Sequence, residues 1–479
     1  MASIKKNFLY SSILTTANYL FPFLTYPYVA RVLGVTNVGI CNFVDSIINY
    51  FIIFSMLGIG TVGIREIAKY KNNPTKLNEA FSGLFLVNFI STFIVLLVLI
   101  FSIELVPKLN EHRELMYFGA LKLVFNFLLI EWFYKGLEDF KYITVRTIIV
   151  KCIYVISVFV FIHNADDYVI YYILMTLMIV VNALLNIIHA RKWICFSFKG
   201  IIIKPYLKSF FILGFYMLLT SMYTSFNVAY LGFKGGETEV GYYTTATKLY
   251  TIILSLYSAF TGVLLPRMSS LVAEKQFDKF RNLLNKSLDI LFAFSLPLVI
   301  YSVIMAAEII RLIAGEGYEG AVLPMKIVMP LIFIIGYEQI LIIQTLMPLK
   351  KDKQILINSI FGASVGVIAN LVLVPIYKSV GASVVWVISE ITVLSVAQLF
   401  VYKDIGYNFP FRKVLASLLA YLPLVIFLIF IHNMSSSFWI KIVYSSLVLG
   451  IYTILLQVYI LKNDFAIYCL KNIKSFIRK

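Results

Sequence analysis

The chain has 479 residues, 61% of them hydrophobic and only 14% charged, with a formal net charge of +17. So few charged groups cannot cover the surface of a water-soluble domain of this length. The apolar residues instead fall in runs of roughly 18–25, the length that crosses a hydrocarbon core of ~30 Å as a helix.

In chain order, helices are predicted at about 8–30, 40–64, 81–103, 115–134, 142–162, 168–189, 209–231, 240–265, 287–307, 321–347, 354–376, 380–402, 414–431 and 440–461. The fold class is therefore an all-α polytopic membrane protein of about fourteen transmembrane helices. The first run is longer than the apolar core of a cleaved signal peptide and is expected to remain as a spanning helix. Pro22, Pro27, Pro297, Pro330 and Pro423 lie within spans and are expected to curve or kink them. Gly58, Gly60 and Gly63 suit close helix contact.

The connections test this order. Lys5 and Lys6 precede the first helix, and Lys and Arg then recur in every second connection: Arg65 to Lys76, Lys135 and Lys141, Arg191 to Lys208, Arg267 to Lys286, Lys350 to Lys353, and Lys403 to Lys413. A last cluster, from Lys462 to Lys479, follows the final helix. The intervening connections carry acids instead, among them Glu104, Glu111, Asp166, Asp167, Glu237 and Glu316. This alternation predicts that both termini are cytoplasmic in a multi-pass inner-membrane protein. Most of the basic charge is thereby assigned to orientation, and no nucleic-acid partner is expected.

A faint repeat runs at an offset of 202 residues: Val38-Gly39 matches Val240-Gly241, Gly60 matches Gly262 and Arg65 matches Arg267. It suggests a parallel duplication of six helices. The expected lobes are 1–204 and 205–402, joined by the basic stretch 190–208, with 403–479 contributing two further helices and a tail.

Ionisable residues inside spans are costly and rare, so each is a functional candidate. Arg31 lies near the outer end of the first helix, Lys122 about two turns into the fourth, Arg146 and Lys151 in the fifth, and Lys248 about two turns into the eighth. Together they suit an anion-binding cavity. The alternative is snorkelling, in which the stems pack in hydrocarbon and the charged ends reach the interface. Glu338 and Glu390 are the deepest acids, placed to take up H⁺ or Na⁺, with Asp45 a third candidate nearer the outer interface; static pairing with a lysine is the alternative. Asp289 reads as a helix N-terminal partner, and Arg65 with Glu66 as a local ion pair at the cytoplasmic face. Tyr223, Tyr230, Tyr242 and Tyr243 offer hydroxyls for ligand contact on the outer side, with interfacial anchoring the alternative. Cys41, Cys152, Cys195 and Cys469 are far apart, the four histidines are dispersed, and no phosphate-binding glycine loop occurs. Neither a metal nor a cofactor is expected.

Two stretches carry a family pattern: NYLFPFLTYPYVARVLGVTNVGI and, after it, LGIGTVGIREIAKYKNNPTKLNEAFS. They resemble the start of the polysaccharide transporter family, the Wzx-type flippases of the multidrug/oligosaccharidyl-lipid/polysaccharide exporter superfamily. The resemblance implies a V-shaped pair of six-helix lobes working by alternating access. It also implies a substrate, undecaprenyl-diphosphate-linked oligosaccharide, flipped from the cytoplasmic to the periplasmic leaflet for O-antigen, capsular or exopolysaccharide synthesis. On that reading Arg31, Lys122, Arg146, Lys151 and Lys248 bind the diphosphate, and Glu338, Glu390 and Asp45 couple transport to H⁺ or Na⁺. Membrane lipids, a polysaccharide polymerase and a chain-length regulator are the implied partners. A peptidoglycan-precursor flippase and a drug exporter are alternatives within the superfamily, although a carrier of organic cations calls for acids rather than lysines. A membrane glycosyltransferase, ligase or polymerase is a third. It is disfavoured by the short outer loops and the lack of a DxD motif or clustered histidines, so no enzyme activity is expected.

Overall fold

The computed structural model describes residues 4–194, 203–461 and 467, and these form helices and short connections with no strand among them. Apolar runs of this length become helices because a helix satisfies every backbone hydrogen bond within its own segment, which hydrocarbon cannot do for it. Among the described residues, ten helices are long and apolar enough to cross a membrane, or eleven when one bent pair counts as a single span. The protein is thus a multi-pass membrane protein. The basic stretch around Lys199 and the tail beyond residue 467, with Cys195 and Cys469, lie outside the described residues.

The chain divides into two compact units, Met1–Thr244 and Thr245–Lys479. The first holds α1 (Ile4–Met56), α2 (Ile59–Tyr70), α3 (Pro74–Leu105), α4 (Pro107–Asn110), α5 (Arg113–Leu128), α6 (Glu131–Gly136), α7 (Phe140–Phe161), α8 (Tyr168–Ala190), α9 (Lys204–Thr224), α10 (Phe226–Gly235) and the start of α11 (Glu237–Ala273). α1 is the hub, packing on α3, α5, α7, α8, α9 and α10. It changes direction at Gly34, whose φ of 74° and ψ of 168° lie outside the helical region. α10 and α11 meet at Gly236 with nearly the same backbone angles, φ 89° and ψ 171°. The two glycines are 202 positions apart, the offset of the sequence repeat.

Local sequence explains several boundaries. Asn73 caps α3 by accepting the Lys76 amide at 3.1 Å, and Pro74 follows in the first turn, where it sacrifices no helical hydrogen bond. Midway along α2, Arg65 and Glu66 form an adjacent ion pair of 3.1 Å. Gly63 lets α2 lie directly on the ring of Trp132 in α6, and a methyl there would collide with the indole. The aromatic side chains Phe81, Trp132, Phe133 and Tyr134 form a buried cluster beside that contact. On the outer faces, side chains such as Phe101 and Ile156 are exposed, as suits lipid-facing positions.

The second unit holds the rest of α11, then α12 (Phe277–Ile304), α13 (Ala306–Ala314), α14 (Val322–Val328), α15 (Leu331–Leu341), α16 (Asp352–Ile405), α17 (Phe411–Ala420), α18 (Leu422–Asn433) and α19 (Phe438–Leu455). One π-helical turn, Ile342–Leu346, follows α15. α16 is two helices joined at Lys378, which sits at φ 50° and ψ −123°. α17 and α18 are bent from one another by 44°.

Pro22 and Pro27 lie inside α1 and Pro297 inside α12, and none of them ends its helix. Pro330 stands at the α14–α15 break, and Pro423 in the first turn of α18. The sharper redirections fall at Gly34, Leu57, Ile130 and Lys378, all with positive φ.

Candidate functional site

In the first unit, the interior between α1, α5, α7 and α8 collects the charged and hydroxyl groups. Lys122 of α5 is 7% exposed, and its ammonium bonds the Asp45 carboxylate of α1. Asn49, one turn further along α1, donates to the other Asp45 oxygen at 3.0 Å. Asp45 and Lys122, assigned to different roles by sequence, are therefore brought together. Around them the Tyr172 hydroxyl is buried without a partner, and Tyr154 and Tyr171 hydrogen-bond each other.

Deeper along α7 lies Lys151, 8% exposed. It makes no ion pair or hydrogen bond with any described residue, and Glu131 acts on it only at longer range. A buried ammonium without a partner costs several kcal/mol of desolvation, so its retention calls for a ligand or water. Arg146, one turn earlier and 5% exposed, reaches Glu131 at 3.4 Å and the Asn182 carbonyl at 3.3 Å, leaving its Nε unpaired. Glu131 also bonds Lys135 at 3.1 Å.

This second cluster exists because α5 breaks. Ile130 adopts φ 37°, α6 starts at Glu131, and the freed carbonyl of Leu129 accepts from the Asn186 side chain. A cavity of about 200 Å³ opens at the break, lined by Met56, Gly60, Asn126, Leu129, Glu131 and Lys135 among others. Glu131, Asn182 and Asn186 were missed by sequence reading. Their signal was polarity inside or beside an apolar run: Glu131 stands near the end of a predicted helix, and the two asparagines carry no charge to mark them. Arg31 is exposed, and one of its N–H groups returns to the Pro27 carbonyl on its own helix. Tyr243 is buried, with its hydroxyl 3.5 Å from the Asn227 amide, Tyr230 stacks on Phe226, and Tyr242 is half-buried. The Tyr223 side chain lies outside the described residues.

In the second unit, Lys248 is half-buried on α11. Glu338 of α15 and Glu390 of α16 face each other, carboxyl hydrogen-bonded to carboxyl. Glu390 is 3% exposed and accepts the Trp386 indole N–H at 3.0 Å. The π turn begins four residues after Glu338, and π turns recur at functional positions in helices. Gln344 within that turn and Asn358 on α16 bury both ends of their amides without a protein partner. Both are uncharged and so escaped the sequence search. Asp289 lies three turns into α12 and pairs with Lys413 at 2.9 Å, so it is not a helix N-terminal group. At the α11–α12 corner, Arg267, Lys279 and Lys286 surround a cavity of about 250 Å³.

Comparison with known proteins agrees with this arrangement. A family model described as "Polysaccharide biosynthesis protein" matches residues 4–272. A relative named "Putative O-antigen transporter" from Escherichia coli (strain K12) is 26% identical over 413 residues, spanning 84% of this chain and 97% of the relative. Among solved structures, "Lipid II flippase MurJ, inward closed conformation" superposes with a TM-score of 0.77 at 15% identity, covering 94% of this chain and 98% of that one. An inward-facing multidrug resistance MATE family transporter gives 0.58 at 14% identity, covering 79% and 95%. At these identities the structures establish the fold, that of a MurJ- and MATE-like transporter. With the motif-bearing first eighty residues inside a match of more than half its length, the chain belongs to the polysaccharide biosynthesis protein family.

Proposed function

We propose that this protein is a flippase that carries undecaprenyl-diphosphate-linked oligosaccharide from the cytoplasmic to the periplasmic leaflet of the bacterial inner membrane. The observation that carries the reading is the alignment along 97% of a relative named for O-antigen transport, within a polysaccharide biosynthesis family. The geometry adds a chemical reason. A diphosphate crossing low dielectric needs fixed cations, and Lys151 is a buried ammonium with no carboxylate of its own. In the same unit Arg146 is held by Glu131 and Lys122 by Asp45, Arg31 stands further out on α1, and Lys248 supplies a cation on the second unit. A peptidoglycan-precursor flippase would need the same charges and differ in the sugar it admits.

The proposed topology has fourteen spans with both termini cytoplasmic, in lobes 1–204 and 205–402 and a last pair of helices. The kinks at Gly34 and Lys378, the 21-residue helix α9 and the bent α17–α18 pair support that count. Net flipping needs a drive, either an ion gradient or removal of product by a polymerase with its chain-length regulator. Glu338 and Glu390 are the proposed coupling groups. Two carboxyls in hydrogen-bond contact cannot both be ionised, so the pair holds a proton that an ion or a change of conformation can displace. Asp45 is reassigned in this proposal from ion coupling to the counter-charge of Lys122.

Export in cells lacking their own flippase tests the reading. Lys151→Ala combined with Lys248→Ala is expected to abolish surface polymer at a normal membrane level of protein, with Lys→Arg tolerated better. Full export by the double alanine variant would remove cation binding from the mechanism.

A further inference from the structure

The break between α5 and α6 leaves a cavity whose chemistry the cation sites do not use. Ile130, at φ 37°, turns the chain so that α6 begins with Glu131, Trp132 follows, and Lys135 stands one turn on. Glu131 and Lys135 are four positions apart and form a 3.1 Å ion pair on one face of α6. Both line the cavity of about 200 Å³, with Asn126 of α5. The rest of the lining is mainly apolar, with Met56, Ile64 and Leu129, and Gly60 of α2 adds no side chain to it.

Trp132 lines the same cavity. Gly63 lies against its ring and Phe81 stacks on it, centroids 5.5 Å apart, so the side chain is only 2% exposed. Its Nε1 is buried and has no hydrogen-bond partner among the described residues. Leaving such a donor unmade costs about 1–3 kcal/mol. Buried indole N–H groups ordinarily find a partner, so an acceptor must come from the cavity.

Charge and size narrow what that acceptor belongs to. An anion would meet the Glu131 carboxylate and a cation the Lys135 ammonium, so the lining favours a ligand without net charge. Glu131 gives one oxygen to Lys135 and the other to Arg146, at 3.4 Å, and each oxygen keeps a lone pair for a hydroxyl. Asn126 can donate and accept, and Trp132 and Lys135 donate. A ring with hydroxyls on its edge and C–H groups on its faces matches both parts of the lining. Drug-sized ligands occupy about 300–1,000 Å³, whereas this cavity of about 200 Å³ admits one ring.

We propose that this cavity is a subsite for one uncharged sugar ring of the lipid-linked headgroup, held at the Trp132 indole N–H and the Glu131 carboxylate. Its lining includes Ile64, next to Arg65, and Lys135, which open two of the basic connections on the face where the proposed flippase meets its cargo. The inference rests on that reading and adds a selector to it. The cations take the diphosphate, which every such lipid carries, and this cavity takes a sugar, which varies. Glu131, shared with Arg146, joins the two.

The test uses the full chain labelled with 5-fluorotryptophan, so that its four tryptophans each give a ¹⁹F resonance. The Trp132 signal is assigned by its loss in Trp132→Phe. The purified protein is titrated with D-glucose, D-galactose, D-mannose, L-rhamnose and N-acetyl-D-glucosamine, with mannitol and sodium diphosphate as controls. At least one sugar is expected to shift the Trp132 resonance saturably, and neither control to do so. A methyl on Gly60 would meet nothing within 4 Å, so Gly60→Leu should fill the cavity without displacing a neighbour. It is expected to weaken sugar binding at least tenfold at an unchanged unfolding temperature. Asn126→Leu, which removes a hydrogen-bonding group rather than space, should weaken it likewise. Gly262→Leu, 202 residues on and equally unobstructed, should bind as the wild type does. A Trp132 resonance that ignores every sugar, or that diphosphate moves instead, would overturn the subsite, as would binding that survives both Gly60→Leu and Asn126→Leu. The readout is binding of a free sugar, not transport, so the two readings fail separately: saturable binding at Trp132 by a protein that flips no lipid in vesicles would overturn the flippase reading and leave the sugar site standing.

Discussion

Lys122 and Lys151 are both buried cations of the first unit, yet their surroundings assign them different work. Lys122 shares its charge with Asp45, while Lys151 has no counter-charge in contact. Removing one member of a buried pair strands the other, at a cost of about 3–5 kcal/mol. Lys122→Met is therefore expected to lower the unfolding temperature in detergent clearly, and Lys122→Met with Asp45→Leu to recover most of the loss. Lys151→Met strands nothing and should leave stability unchanged or raised while export is lost. Equal destabilisation by the two single variants would place Lys151 in the structural framework. That charged residues in the spans mattered was legible in the sequence, because each stands out against an apolar run. Their partners were not, since Asp45 and Lys122 lie 77 residues apart and meet only when α1 packs on α5. Glu131 escaped notice because the break that places it is made by Ile130, a residue with no turn preference of its own.

At the scale of elements, helix positions were well marked by apolar run length, and the devices that redirect them were not. Prolines carry the familiar signal for a kink, but the chain turns at Gly34 and Lys378, where one residue with positive φ joins two helices. At Gly34 there is open space for a methyl, so the demand is on the backbone alone. Gly34→Ala is expected to cost about 1–3 kcal/mol, because its φ of 74° with ψ of 168° is a backbone region open essentially to glycine alone. Lys378→Gly should do the opposite and stabilise by about 1 kcal/mol, because a lysine there already bears that strain. Thermal unfolding of the two variants checks both signs, and a destabilised Lys378→Gly would show that the lysine side chain, not its backbone, matters at the kink. The repeat was legible as a few identities at one offset. Its consequence, two glycine-bearing turns facing each other, depends on tertiary packing that no local window contains.

For the whole molecule, charge alternation in the connections is the strongest long-range signal in the sequence, because it reports on every span at once. Reporter fusions after residues 110, 165, 236 and 316 are expected to register periplasm, and those after 75, 276 and 351 cytoplasm; two or more reversals would break the fourteen-span topology. Coupling is tested by imposing a proton or sodium gradient on proteoliposomes. Glu338→Gln and Glu390→Gln should abolish any response to the gradient, and a wild type indifferent to both gradients would leave product removal as the drive. The most direct measurement is flipping itself. Purified protein is placed in vesicles containing an undecaprenyl-diphosphate-linked oligosaccharide, and the sugar is then exposed to an impermeant modifying reagent outside. The account predicts that the protected inner-leaflet pool becomes reactive only when protein is present, and that Lys151→Met returns it to the protein-free level. A protected pool of the same size with and without the wild-type protein would contradict it.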